Sequence, residues 1–251
     1  MTTRPGTVLI TGAAKRLGRA IALDLAQAGW QVAVHYRGSA AEAEETVAAI
    51  RKAGAKAVAL AADLANEDEA AALIPEARNA LGPVTALVNN ASLFEHDDIA
   101  TMSRASWEAH MAVNLRAPVL LAQGFARQVE TKGAIVNLLD QRVFKPTPEF
   151  LSYGVTKAGL HWLTVTLAQA LAPKIRVNAV APGPTLPSPR QSAEHFRRQS
   201  EATLLGHGAT PDDIAAATRY LLEAEAVTGQ TIAVDGGQHL AWQTPDVVGV
   251  E

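Results

Sequence analysis

The sequence predicts an α/β fold, a doubly wound parallel sheet flanked by helices. Three observations carry that expectation. Apolar runs of strand length alternate with longer amphipathic segments along the 251 residues. Most of the short runs are continuously apolar, as parallel strands buried on both faces are. Strands separated by helices imply right-handed βαβ units, and these build a doubly wound sheet.

Thr7–Ile10 reads as the first strand, and Gly18–Gly29 as a helix with Ile21, Leu25 and Ala28 on one face. Gln31–His35 is the second strand, followed by a helix over Ala40–Ala53 with a charged face. Ala57–Ala61 is the third, followed by a helix over Glu67–Leu81. Ala86–Asn89 is the fourth, and the long helical stretch after it is interrupted near Arg116–Pro118. Ala134–Leu139 precedes a helix over residues 152–171. Arg176–Ala181, a helix from Pro211 to about Ala224 and Thr231–Val234 complete the series. No linker, repeat or low-complexity tract divides the chain. The irregular region is 183–208, rich in Pro, Ser and charge. It is read as a lid over a ligand or a surface loop, and its place after a strand's carboxyl end favours the lid.

Composition narrows the partners. Apolar residues make up 48% of the chain, which suits a globular core. A net charge of −3 and the absence of a dense basic run exclude nucleic acid and anionic membrane as main partners. With no cysteine there is no disulfide or thiolate chemistry. The seven histidines lack ligand-like spacing, so no metal is expected. No signal layout and no run of 18 apolar residues is present, so the expectation is a soluble, cytoplasmic protein.

Thr11-Gly-Ala-Ala-Lys-Arg-Leu-Gly18 joins the first strand to the first helix. Gly12 permits a tight turn, Gly18 allows close helix–sheet approach, and the helix N-terminus offers N–H groups to a phosphate. Lys15, Arg16 and Leu17 lie inside this loop. The second strand ends His35-Tyr36-Arg37-Gly38-Ser39, without the carboxylate that would accept from two free ribose hydroxyls. Arg37 and Ser39, facing Arg16, suit the 2′-phosphate of NADPH, the cofactor expected here. The other reading of these cations is a solvated surface. Asp63-Leu64 offers a carboxylate to an adenine amino group, or simply a turn residue before a helix. Asn89 and Asn90 can tie neighbouring strands through their amides, and Ala91 and Ser92 leave room for a cofactor.

Tyr153 and Lys157 are four residues apart and share a helix face. A free phenol titrates near 10, and a nearby cation lowers that value and makes the phenol a usable acid. Asp140 stands thirteen residues before Tyr153.

Over nearly its whole length the chain resembles the short-chain dehydrogenase/reductase family. The resemblance rests on Thr11–Gly18, Asp63, Asn89–Ala91, Asn114, Tyr153, Lys157 and Pro182-Gly183, all in the family's order. It implies a single Rossmann-like domain over 1–251 that transfers hydride between a nicotinamide cofactor and a small-molecule substrate. It makes Tyr153 the proton donor or acceptor, Lys157 the residue that binds the nicotinamide ribose and depresses the Tyr153 pKa, and Asn114 the holder of a relay water. It also places cofactor contacts at Pro182, Gly183 and Thr185, and implies a homo-oligomer, tetramer or dimer. His161, Trp162 and Val165 are candidates for the subunit contact, and the Trp242–Asp246 tail could reach a neighbour or stay disordered.

Two departures point further. Arg16 replaces a middle glycine, and Asp140 replaces the usual serine. Both are similar to the pteridine reductases, as are His35-Tyr36, Ser39–Ala43 and Ser92-Leu93-Phe94. That resemblance implies that Ser92 touches ligand and cofactor phosphate and that Phe94 stacks on a pterin ring. An ionised Asp140 cannot donate to a carbonyl, opposes ionisation of Tyr153, and could accept from ring N–H groups. The plainer readings are a core aromatic for Phe94 and a structural carboxylate paired with Arg142 for Asp140. The expected activity is NADPH-dependent reduction of a C=N or C=O bond, with a pteridine favoured. The alternatives are a general carbonyl reductase, such as a 3-oxoacyl reductase, and a non-catalytic NADPH sensor.

Overall fold

The computed structural model describes residues 6–243. Seven parallel strands form one sheet in the order β3-β2-β1-β4-β5-β6-β7. They are β1 (Thr7–Ile10), β2 (Gln31–Tyr36), β3 (Ala57–Ala61), β4 (Val84–Asn89), β5 (Gly133–Leu138), β6 (Ile175–Pro182) and β7 (Thr231–Val234). The order reverses between β1 and β4. That switch point opens a crevice at the carboxyl ends of the strands, where such sheets bind ligands. Each predicted strand is present, with ends moved by no more than two residues.

Helices cover both faces. α1 (Arg16–Gln27), α2 (Ala40–Lys52) and α8 (Pro211–Glu223) bury Ile21, Leu25, Val47, Ile50, Ile214 and Leu221 against Val8, Ile10 and Val34. α3 (Glu67–Leu81), α5 (Ala117–Gln128) and α6 (Leu151–Leu171) bury Leu73, Leu121, Phe125 and Ala168 against Leu9, Leu87, Ile135 and Val177. Val8 and Leu9 point to opposite cores, as successive strand residues must. No helix among the described residues is long and apolar enough to cross a membrane.

One expectation is refined and another corrected. The interruption expected near Arg116–Pro118 is a widened turn rather than a break. α4 (Arg104–Met111) continues through a π-helical turn, Ala112–Arg116, into α5. Pro118 falls in the first turn of α5, and the widened turn before it accommodates its missing N–H. Nor is 183–208 irregular throughout, since Ala193–Glu201 forms α7. Ser192 caps it by accepting from the His195 N–H, and Arg197 bridges Glu194 and Glu201. None of its residues is buried, so it carries no apolar stripe for periodicity to reveal. The expected reach of the C-terminal tail past residue 243 lies outside the described residues.

α6 has an unusual buried face. Ser152, Tyr153, Thr156, Lys157, Leu160, Thr164 and Ala168 recur at helical spacing, and most are polar. Several of their polar groups bond inward. Thr156 donates to the Tyr153 carbonyl, and Thr164 donates to that of Leu160 while accepting from Asn137 of β5. The opposite face exposes Val155, Trp162 and Val165.

Candidate active site

The cradle at the switch point is made by glycine and by side chains that hold backbone. Gly12 has a φ of +64°, and a Cβ there would lie 3.0 Å from the Ala91 Cα. A Cβ on Gly18 would meet the Gly12 carbonyl, with the Ala13 Cα at 2.8 Å. Thr11 Oγ1 accepts from the N–H groups of Asn90 (2.9 Å) and Ala91 (3.0 Å). Asn90 Nδ2 returns two bonds, to the carbonyls of Thr11 (2.8 Å) and Gly12 (3.0 Å). Asn89 bonds Asn137 on β5. The asparagines therefore tie strand ends together.

His35 is a strut. Its Nδ1 accepts from the Gly12 N–H at 2.9 Å, which leaves the proton on Nε2 to be donated to the Ala62 carbonyl at 3.1 Å. Burial lowers its pKa, against the pull of that bond and of Asp63, so the ring is neutral. Both nitrogens are spent on the protein, and His35 shapes the cofactor end through the loop it supports. Asp63 likewise makes the turn before α3, accepting from the Ala65 N–H. Its side chain and Leu64 still line the cleft.

The cleft has a volume of about 960 Å³. Tyr36, Arg37 and Ser39 line one end, Lys15, Leu17, Gly18 and Ser92 the middle, and Phe94, Tyr153, Lys157 and Thr185 the other. The N-termini of α1 and α2 open on it, and neither Lys15 nor Ser39 caps its helix with a side-chain bond. These free N–H groups and the Gly12–Gly18 cradle fit a dinucleotide's phosphates.

Arg16 corrects an expectation. It occupies the left-handed region (φ +56°), where the sequence pattern has a glycine. From there its guanidinium crosses to the segment after β6, donating to the carbonyls of Pro187 (3.0 Å) and Leu186 (3.4 Å). It ties the glycine loop to the 183–208 segment and does not pair with Arg37. On the same wall Gly183 is obligatory, because a Cβ would come within 2.5 Å of the Asp235 Cβ. Thr185 bonds the Gly183 carbonyl.

At the other end, Asp140 collects three donors. Its Oδ1 accepts from the Arg142 N–H (2.9 Å), and its Oδ2 accepts from Arg142 Nη1 (3.0 Å) and from the Tyr153 hydroxyl (3.0 Å). Asp140 is thus paired with Arg142, as the plainer reading has it, and is bonded to the phenol as well. Lys157 Nζ donates to the Leu138 carbonyl at 2.7 Å and lies 5.6 Å from the centre of the Tyr153 ring. Of the two opposing charges expected to act on the phenol, the Asp140 anion prevails. Burial and the Asp140 charge hold Tyr153 well above its ordinary value, and Arg142 offsets them only in part. Burial brings Lys157 down to about 8, with Asp140 pulling the other way.

Asn114, in the π-helical turn, spends its side chain on the protein. Nδ2 donates to the Leu93 carbonyl (2.8 Å) and Oδ1 accepts from the Leu93 N–H (2.7 Å), with the Ser92 hydroxyl at 3.4 Å. It fixes the segment that presents Phe94. The Phe94 ring stacks on Phe150 (4.5 Å, 8°) and meets Tyr153 edge-on at 4.7 Å. Phe150 is held at a φ of +59° by the buried Asp97, which accepts from the N–H groups of Leu151 and Ser152. Sequence reasoning missed Phe150 as a stacking partner and Asp97 as an anchor, since both act through tertiary contacts. It also missed Gln191, His195 and Gln199 on the outer wall.

A family model described as enoyl-(acyl carrier protein) reductase matches residues 12–239. The FabG 3-oxoacyl-(acyl-carrier-protein) reductase of Staphylococcus epidermidis is 35% identical over 241 residues, covering 93% of this chain and 99% of that protein. The chain belongs to the short-chain dehydrogenase/reductase family. Within it, the chain is similar to the FolM alternative dihydrofolate reductase 1 of Brucella canis. That crystal structure, complexed with NADP, superposes with a TM-score of 0.91 at 44% identity, covering 96% of this chain and 97% of the other. The 3beta-hydroxysteroid dehydrogenase 1 of Eggerthella lenta is 36% identical over 249 residues, covering 93% of this chain and 94% of that protein.

The Lys157 shift has a sign that can be measured. The unfolded chain holds this proton to about 10.5, and the folded protein releases it near 8. Between those values the unfolded state binds more protons, so stability rises with pH. Below pH 8 the buried ammonium costs on the order of 3 kcal/mol. Urea denaturation of the unliganded protein should show stability rising from pH 8 to 10, and Lys157→Met should flatten that rise.

Proposed function

We propose that this protein reduces the C=N bond of a dihydropterin- or dihydrofolate-like substrate. It is an NADP-dependent oxidoreductase. The observation that carries the narrower reading is the Asp140 carboxylate, bonded to the Tyr153 hydroxyl where a neutral serine would donate to a ketone oxygen. Beside it stands the aromatic shelf of Phe94 and Phe150, which suits a flat ring.

NADPH, when bound, supplies the hydride. The amides at the N-terminus of α1, with Lys15, Leu17 and Ser92 nearby, hold its pyrophosphate. Arg37, Ser39 and the start of α2 take the 2′-phosphate, with Tyr36 beside them, and Asp63 and Leu64 border the adenine. Asn90, Ala91, Pro182, Gly183 and Thr185 wall the nicotinamide end, and Lys157 binds the ribose. Tyr153 keeps its proton at neutral pH and gives it to the substrate nitrogen as the adjacent carbon accepts hydride. C=N thereby becomes CH–NH, and solvent restores the phenol proton, with Asn114 on the relay path. Asp140 accepts an N–H of the ring.

The second reading is reduction of a 3-oxoacyl or other ketone, which the identity to FabG favours. One NADP-binding unit and a homo-oligomer complete the proposal. The apolar outer face of α6, with Trp162 65% exposed, supports assembly through that helix. Light scattering at the mass of a monomer would contradict it.

NADPH consumption with dihydrobiopterin, dihydromonapterin, dihydrofolate and a ketone panel tests the substrate. The dihydropterins should be turned over, and Asp140→Ser should impair them at least about tenfold more than any ketone. Turnover of ketones alone would remove the pterin assignment. Arg37→Ala should raise the KM for NADPH about tenfold and leave that for NADH unchanged.

A further inference from the structure

We infer that Arg142 selects the substrate, by donating to a carbonyl oxygen that a fused pyrimidinone presents beside an N–H group. The inference rests on the pterin-like reading above and adds the ring edge that the site recognises.

Arg142 is held from two sides. Asp140 accepts from both its backbone N–H and its Nη1. Its guanidinium carbon lies 5.3 Å from the centre of the Phe150 ring and 5.8 Å from that of Phe94, at the aromatic shelf. The residue lines the same cleft as Phe94 and Tyr153. Its side chain is 21% exposed, and its Nη2 makes no hydrogen bond among the described residues, while the unpaired Nε is sealed by protein. A guanidinium has five N–H donors in a fixed fork, and only Nη1 has a carboxylate here. The donors left on the exposed side of the fork are open to an acceptor on a ligand in the cleft.

Arg190 is the other cation near the shelf, 5.5 Å from the Phe94 ring centre. It is already committed, to the Glu95 carboxylate (2.7 Å) and the Phe94 carbonyl (2.5 Å). Arg142 makes one side-chain hydrogen bond to the protein where Arg190 makes two.

The carboxylate completes the pattern. An ionised Asp has about four acceptor positions, and Asp140 uses three. One acceptor therefore stands next to one donor. A 2-amino-4-oxo pyrimidine edge, with N–H beside C=O, complements both. A 2,4-diamino edge puts an amino group where the oxygen should be and sets donor against donor, so the site rejects it.

The test uses full-length protein with NADPH. Wild type, Arg142→Met and Arg142→Lys are compared in turnover of dihydrobiopterin. Fluorescence titration then measures binding of pterin and 2,4-diaminopteridine, which differ in the 4-substituent and in whether N3 carries a hydrogen. Wild type should bind the 4-oxo ring at least about tenfold tighter. Arg142→Met should lose about 10- to 100-fold in kcat/KM and bring the binding ratio close to one, with NADPH affinity unchanged. Arg142→Lys, which keeps the charge without the fork, should retain part of the preference and serves if the Met variant does not fold. If wild type turns over dihydrobiopterin yet binds both rings equally, or if the variants keep its preference, Arg142 is not the selector and the pterin reading stands. If wild type turns over no dihydropterin, both fall.

Discussion

One carboxylate oxygen organises the reactive end of this protein. Asp140 Oδ2 receives the Tyr153 hydroxyl and the Arg142 guanidinium together. The phenol and the guanidinium are both aimed by that oxygen, and the aromatic shelf closes around them. The arrangement also sets the chemistry. A buried phenol bonded to an anion keeps its proton, so the site is built to deliver one. A neutral hydroxyl in the place of Asp140 would remove both the anion and the anchor of Arg142.

The scaffold exists to hold that oxygen and its partners in register. Tyr153 and Lys157 belong to the polar buried face of α6, which hydroxyl–backbone bonds and Asn137 fasten to β5. Lys157 is drawn onto the carbonyl of Leu138 at the end of the same strand, two residues before Asp140. Asp97 anchors the first turn of α6 from the segment that carries Phe94. Asn114 holds that segment from behind. Most polar groups buried here have taken a backbone or side-chain partner, as burial requires. Arg142 Nε, Gln141 Oε1, Ser152 Oγ and Asn89 Oδ1 are the buried atoms near the site without one among the described residues.

Much of this was legible in the sequence. Continuously apolar runs mark buried parallel strands, and all seven strands stand where those runs are. The four-residue spacing puts Tyr153 and Lys157 on one buried face of α6, and Asp140 meets the phenol. What escaped depends on distance in the chain or on burial. Arg16 reaches carbonyls 170 and 171 residues away, which no local pattern announces. α7 has no buried residue, so periodicity was silent. The sign of the Tyr153 shift turned on how deeply the phenol is buried, and burial outweighed every nearby cation. The polar atoms of His35 and Asn90 hold the loop that forms the cradle, through tertiary bonds that the local sequence does not announce.

The central claim is that Tyr153 is a proton-holding phenol. Tyrosine ionisation followed by ultraviolet absorbance tests it directly, because the chain has only three tyrosines. Subtracting the titration of Tyr153→Phe from that of wild type isolates this residue. The account predicts no ionisation of Tyr153 below pH about 10 in the unliganded protein. A phenolate forming near pH 7 to 8 would contradict it.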